Sequence, residues 1–114
     1  MILITEKKKN YIIIKPNIDK INYETANKFS KQTVELIENE KPRHLAIDLE
    51  KVVYISSIGV TALSIIKGMA KINNCNIYIY NLSPEVLEIL EQTGINSMFK
   101  LLDNETEIEE YINS

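Results

Sequence analysis

Short runs rich in isoleucine, valine and tyrosine recur along this chain, separated by longer stretches in which apolar residues return at helical spacing. Tyr11-Ile12-Ile13-Ile14, Leu45-Ala46-Ile47-Asp48-Leu49, Val52-Val53-Tyr54-Ile55 and Ile77-Tyr78-Ile79-Tyr80 have the length and content of strands. Ile2-Leu3-Ile4 and the Tyr11 run flank the polar Glu6-Lys7-Lys8-Lys9-Asn10, which predicts a hairpin and makes the lysine triplet a turn. From Tyr23 to Glu40, Ala26, Phe29, Val34 and Ile37 recur between charges, so an amphipathic helix is expected there, ended by Pro42. A second helix is expected from about Ser57 to Ile72. A third starts at Ser83-Pro84-Glu85, with Ser as cap, Pro in the first turn and a carboxylate facing the dipole, and stops at Gly94. Met98 to Leu102 reads as a last short strand and Glu105 to Tyr111 as an acidic terminal helix. Strands alternating with helices favour parallel pairing with right-handed crossovers. The expectation is an α/β fold: a mixed sheet opening on an antiparallel hairpin and packed by about four helices. At 114 residues, the range 1–114 is expected to be a single domain.

Such a scaffold has little to catalyse with. The chain holds one His, one Cys, three Gly and no Trp. A zinc site takes several Cys or His ligands, and His44 and Cys75 are the only candidates of those types. His44 directly precedes an apolar run and reads as a strand-entry residue rather than a general base. Cys75, between Asn74 and Asn76, sits at a helix-to-strand turn and is assigned no chemistry. Neither GxxxxGK[ST] nor GxGxxG occurs, so no phosphate cradle of those types is expected, and no cofactor or metal. The glutamates lie mostly at helical spacing among lysines and read as solvated faces. No run approaches the roughly 18 apolar residues of a membrane span, and no basic n-region precedes an apolar stretch. A lone cysteine fits a reducing compartment, and the expected location is the cytoplasm. Residues 1–57 carry ten positive and eight negative side chains, and residues 58–114 three and eight, which gives +2 against −5 and the formal net charge of −3. No basic stripe for nucleic acid is present in that pattern.

One segment stands out. Ile55-Ser56-Ser57-Ile58-Gly59-Val60 joins a strand-like run to a helix. At about 100° per residue, Ser57, Thr61, Ser64, Gly68 and Lys71 share one stripe of that helix. Ile58, Ala62, Ile65, Ile66, Met69 and Ile72 are expected on the core side. Ser57 reads as an N-cap where backbone N–H groups are unpaired. Gly59 is unexplained by capping, because Gly in a first turn costs about 1 kcal/mol against Ala. A close approach by another backbone would justify it, which points toward docking.

Asp48-Leu49 followed by Val52-Val53-Tyr54-Ile55-Ser56-Ser57-Ile58-Gly59 and then Ala62-Leu63 resembles the signature of STAS domains, specifically bacterial anti-sigma factor antagonists. The likeness extends from the opening strands and Asn17-Ile18-Asp19 to the helix after Ser83-Pro84. The resemblance implies that Ser57, two residues before Gly59, is the serine phosphorylated by a partner kinase. It implies partner-binding roles for Asp19, Ser56, Ile58, Gly59, Thr61 and Ser64 around it. Ser56 stands where the family often has Asp, Ile58 where it often has Ser or Thr, and Thr61 in place of a frequent Gly.

By that resemblance the unphosphorylated chain binds an anti-sigma factor and serine kinase of the histidine-kinase-like ATPase type and releases a sigma factor. Phosphorylation of Ser57 switches binding off, and a separate phosphatase resets it. The chain would be a substrate rather than an enzyme, with no direct contact to nucleic acid and no membrane insertion. An alternative within the same fold is an unphosphorylated adaptor or scaffold subunit of a transporter or signalling complex, with Ser57 only a cap. A third reading, a small enzyme or nucleotide-binding protein, lacks a phosphate loop.

Overall fold

The computed structural model describes residues 2–113. Leu3–Lys7 (β1) and Ile12–Pro16 (β2) form the expected antiparallel hairpin, with Leu3 opposite Pro16 and Lys7 opposite Ile12. Its turn is closed by the Lys8 N–H, which donates to the Tyr11 carbonyl at 2.8 Å. The chain continues through Lys20–Ile21 (β3), Ala26–Glu40 (α1), His44–Asp48 (β4), Tyr54–Ile55 (β5) and Ser57–Ile72 (α2). Asn76–Tyr80 (β6), Pro84–Thr93 (α3), a 3₁₀ turn at Ile95–Met98, Lys100–Leu101 (β7) and Glu105–Asn113 (α4) complete it. The main sheet has the order β1-β2-β4-β6-β7 and is parallel everywhere except in the opening hairpin. β3 and β5 pair separately as a small parallel sheet, with Lys20 opposite Tyr54 and Ile21 opposite Ile55.

Side chains alternate across the main sheet, as the two-residue period of a strand requires. Ile12, Ile14, Leu45, Ile47, Ile77 and Ile79 point to one core together with residues of α1, α2 and α3. Tyr11, Ile13, Ala46, Tyr78 and Tyr80 point to the other, which holds Ile108 of α4. Burial on both faces explains why these strands read as continuous apolar runs. The α4 side is edged with polar ties. The Tyr11 hydroxyl donates to Glu109 Oε1 at 3.0 Å, and Lys8 reaches Glu105 at 3.4 Å. Burial and these carboxylates raise the Tyr11 pKa.

Several element bounds differ from the sequence-based expectation. α1 begins at Ala26 and not Tyr23, because Asn22 to Thr25 form a turn. Within it Thr25 Oγ1 donates to the Lys20 carbonyl at 2.8 Å and accepts from the Asn22 N–H at 3.0 Å. β3 was not expected, and β5 is shorter than the apolar run that contains it. The 3₁₀ turn takes Met98, so β7 is only Lys100–Leu101. The largest correction is the orientation of α2. Ile58, Ile65 and Ile72, expected on the core side, are 52%, 50% and 74% exposed. The buried residues are Gly59, Ala62, Leu63, Ile66 and Ala70. Apolar residues fall on more than one side of this helix, and close packing turns inward the side where Gly59, Ala62 and Ala70 allow a near approach and Leu63 and Ile66 fill the space beside them.

Among the described residues no helix is long and apolar enough to cross a membrane. His44 opens β4, and its Nδ1 lies 2.9 Å from the Tyr78 hydroxyl, in keeping with a strand-entry residue. Cys75 is buried, and burial pushes its thiol up to about 11.

Candidate functional site

The start of α2 is built from two segments far apart in sequence. Where β3 lies beside β5, the Val53 N–H donates to the Asp19 carbonyl at 2.7 Å and the Ser56 N–H to the Ile21 carbonyl at 2.9 Å. Asp19 and Ser57, distant in sequence, are thereby brought onto one end of the molecule. Asp48 closes the preceding turn: its Oδ1 accepts from the Glu50 N–H at 2.9 Å and from Asn81 Nδ2 at 3.1 Å.

Ser56, not Ser57, is the cap. Its backbone is extended and its Oγ accepts from the Gly59 N–H at 3.3 Å, while its carbonyl accepts from the Val60 N–H at 2.9 Å. Ser57 is the first residue of the helix and is exposed. Its hydroxyl has no hydrogen-bond partner among the described residues, and its carbonyl accepts from Thr61 Oγ1 at 3.1 Å. The N–H groups of Ser57 and Ile58 also have no acceptor among the described residues, as expected of a first turn. No acidic residue occupies that turn, so the positive end of the helix dipole is left uncompensated beside a free hydroxyl.

Gly59 has a different role from the one the sequence suggested. It is buried, and a Cβ built on it would stand 2.4 Å from the Ile21 carbonyl oxygen and 2.7 Å from Ile55 Cγ2. The close backbone approach is real, but the backbone is the chain's own, so Gly59 supports the docking end from beneath rather than forming its surface.

The remaining positions expected to meet a partner lie outside the core. Ile58 and Thr61 are exposed, Ser64 is half-buried, and Asp19 is exposed in the loop leading into β3. Sequence reasoning missed an apolar contribution to the same end. Val53 and Tyr54 are exposed immediately before the cap, and Tyr23 is exposed just after β3. Their signal was present but masked: Val52 and Ile55 are buried, and the four residues read together as one buried strand. Exposed apolar and aromatic groups around a free hydroxyl suit protein docking better than catalysis. Among the described residues no group of three or more His, Cys, Asp or Glu is placed to hold a metal ion.

The model of the STAS domain family matches residues 3–108. The fold is shared with an assigned anti-sigma factor antagonist from Thermotoga maritima, 18% identical, with a TM-score of 0.87 over 98% of this chain and 95% of that one. An anti-sigma factor antagonist from Mycobacterium paratuberculosis is 17% identical, with a TM-score of 0.81 over 98% of this chain and 93% of that one. A serine-to-glutamate variant of RsbS from Moorella thermoacetica is 15% identical, with a TM-score of 0.80 over 97% and 95%.

Proposed function

The chain belongs to the STAS domain family, and from that premise we propose that it is a cytoplasmic anti-sigma factor antagonist switched by phosphorylation of Ser57. Unphosphorylated, it binds an anti-sigma factor and serine kinase of the histidine-kinase-like ATPase type, and a sigma factor is released. Phosphorylation by that partner ends the association, and a phosphatase acting on phosphorylated Ser57 restores it. The ATP, its metal and the catalytic base belong to the partner.

The observation that carries this reading is the division of labour between the two serines. Ser56 holds the helix start, so the free Ser57 hydroxyl can be modified without breaking any bond of the fold. A phosphate adds roughly −1.5 to −2 charge at pH 7, and unpaired first-turn N–H groups accommodate an anion. In isolation the modified chain stays folded. Inside an interface lined by Val53, Tyr54 and Ile58, the same dianion would have to be stripped of water, at a cost that opposes binding.

Incubation with the cognate kinase and ATP should add one phosphate to the intact mass, and Ser57→Ala should remain unmodified while binding the kinase constitutively. A mass gain that persists in Ser57→Ala would move the modification elsewhere. Binding with no mass gain would favour the adaptor reading.

A further inference from the structure

Six of the thirteen Lys and Arg side chains of this acidic chain line two adjoining clefts at the pole opposite Ser57. An open cleft of about 800 Å³ lies between the β1–β2 turn, the α1–β4 loop and the start of β6. Lys7, Lys8 and Lys9 line it from the turn, and Arg43 and His44 from the loop, with the Asn10 and Asn76 amides between them. An adjoining cleft of about 350 Å³ shares His44 and Asn76 and is lined by Lys67 and Lys100. Those are two of only three positive residues in the segment 58–114, the third being Lys71. Among the described residues, Glu40 is the one carboxylate side chain lining either cleft. β4 and β6 both begin here and run toward the other end, where α2 starts.

Internal pairing leaves this charge partly unmet. Lys7 pairs with Glu40, and Lys8 with Glu6 at 2.6 Å and with Glu105. Lys100 lies 4.8 Å from the centre of the Tyr111 ring and Lys67 6.0 Å from that of Phe99. Lys9 and Arg43 have no carboxylate partner among the described residues. The C-terminal ends of α1 and α2 reach this pole, and their carbonyls offset some positive charge. Two helix ends, each equivalent to about half a charge, do not account for the four cations, Lys9, Arg43, Lys67 and Lys100, that have no carboxylate partner among the described residues. The Tyr78 hydroxyl engages His44 Nδ1 and so orients the ring with Nε2 as the nitrogen left over. Among the described residues, the charged groups that share its two clefts are Lys7, Lys8, Lys9, Glu40 and Arg43 in one and Lys67 and Lys100 in the other. Burial first, and then the Arg43 charge, hold the imidazole below its ordinary pKa of 6.5.

We propose that this pole is a binding site for a small phosphate compound bearing two or more phosphoryl groups, seated between Lys9 and Arg43. The cleft has the volume of a small-molecule site. The guanidinium fork matches phosphate oxygens in a bidentate way, and the amides of Asn10 and Asn76, engaged with Asn113 Oδ1 and His44 Nδ1 through one N–H each, have a second N–H to donate. The site lies away from Ser57 and does not depend on partner switching.

Calorimetric titration of the full chain with inorganic pyrophosphate, and separately with ATP, tests it. Both should bind saturably at one site, more tightly than orthophosphate, with affinity falling as salt rises. Lys9 and Arg43 are exposed, so the double variant Lys9→Glu/Arg43→Glu should keep its melting temperature and lose at least tenfold in affinity. Ser57→Ala should bind as the parent does. Saturation with pyrophosphate should raise the His44 pKa followed by imidazole proton NMR, because an anion favours the imidazolium. No saturable binding, unchanged affinity in the double variant, an unmoved His44, or preferential binding of a nucleic-acid duplex would each overturn the proposal.

Discussion

α2 and α3 begin in the same way and then diverge at every position of the first turn. Each is capped by a serine whose Oγ accepts from the third helical N–H: Ser56 from Gly59 at 3.3 Å and Ser83 from Val86 at 3.2 Å. In α3 the first position is Pro84, which has no N–H to satisfy, and the second is Glu85, whose carboxylate meets the dipole. In α2 the same positions hold the exposed Ser57 and Ile58, with no carboxylate. The third position is the buried Val86 in one helix and Gly59 in the other, where the Ile21 carbonyl occupies the space a side chain would need. α3 shows how a helix start is finished for stability alone. α2 is capped just as well but leaves its dipole and a hydroxyl open to a second molecule.

Breaking this contrast at Ser57 should have the largest effect. Ser57→Glu places a charge at the centre of the proposed docking surface, and a loss of about 3 to 4 kcal/mol would weaken kinase binding on the order of several hundredfold. A dissociation constant within threefold of the parent would remove Ser57 from the interface. Next is Gly59→Ala, which should destabilise the fold by about 1 to 3 kcal/mol in urea titration through overpacking against β3. An unchanged midpoint would mean that β3 yields easily. Ser56→Ala and Ser83→Ala should each cost about 1 kcal/mol as lost caps, whereas Ser57→Ala should stay within about 0.5 kcal/mol of the parent. Equal losses at Ser56 and Ser57 would erase the distinction between them. The smallest expected change is a gain: Ser57→Asp should stabilise the isolated chain by about 0.3 to 1 kcal/mol through the dipole, which a melting scan at low salt would detect.

Sequence reasoning reached the hairpin, the strand and helix order, the Ser83 cap and the Gly94 stop because each rests on local chemistry. Gly94 does adopt a positive φ, 78°. It singled out Ser57 through a resemblance, and gave it the capping role that belongs to Ser56 because two serines in a row are equivalent until the pairing of Ser56 with Ile21 is known. The orientation of α2 was illegible for a related reason. When apolar residues fall on more than one side of a helix, periodicity does not say which of them face in, and the proximity of β3 and the sheet decides in favour of the side that carries Gly59, Ala62 and Ile66. β3 itself is two residues long and has no pattern to read.

The hydrogen bonds that set the Ser57 turn cross thirty-five residues, from Ile21 to Ser56. A newly made or partly unfolded copy carries the same local sequence without the turn that displays it. On the proposed function, such copies would compete poorly for the partner and be modified slowly, so the switch would respond only to folded molecules.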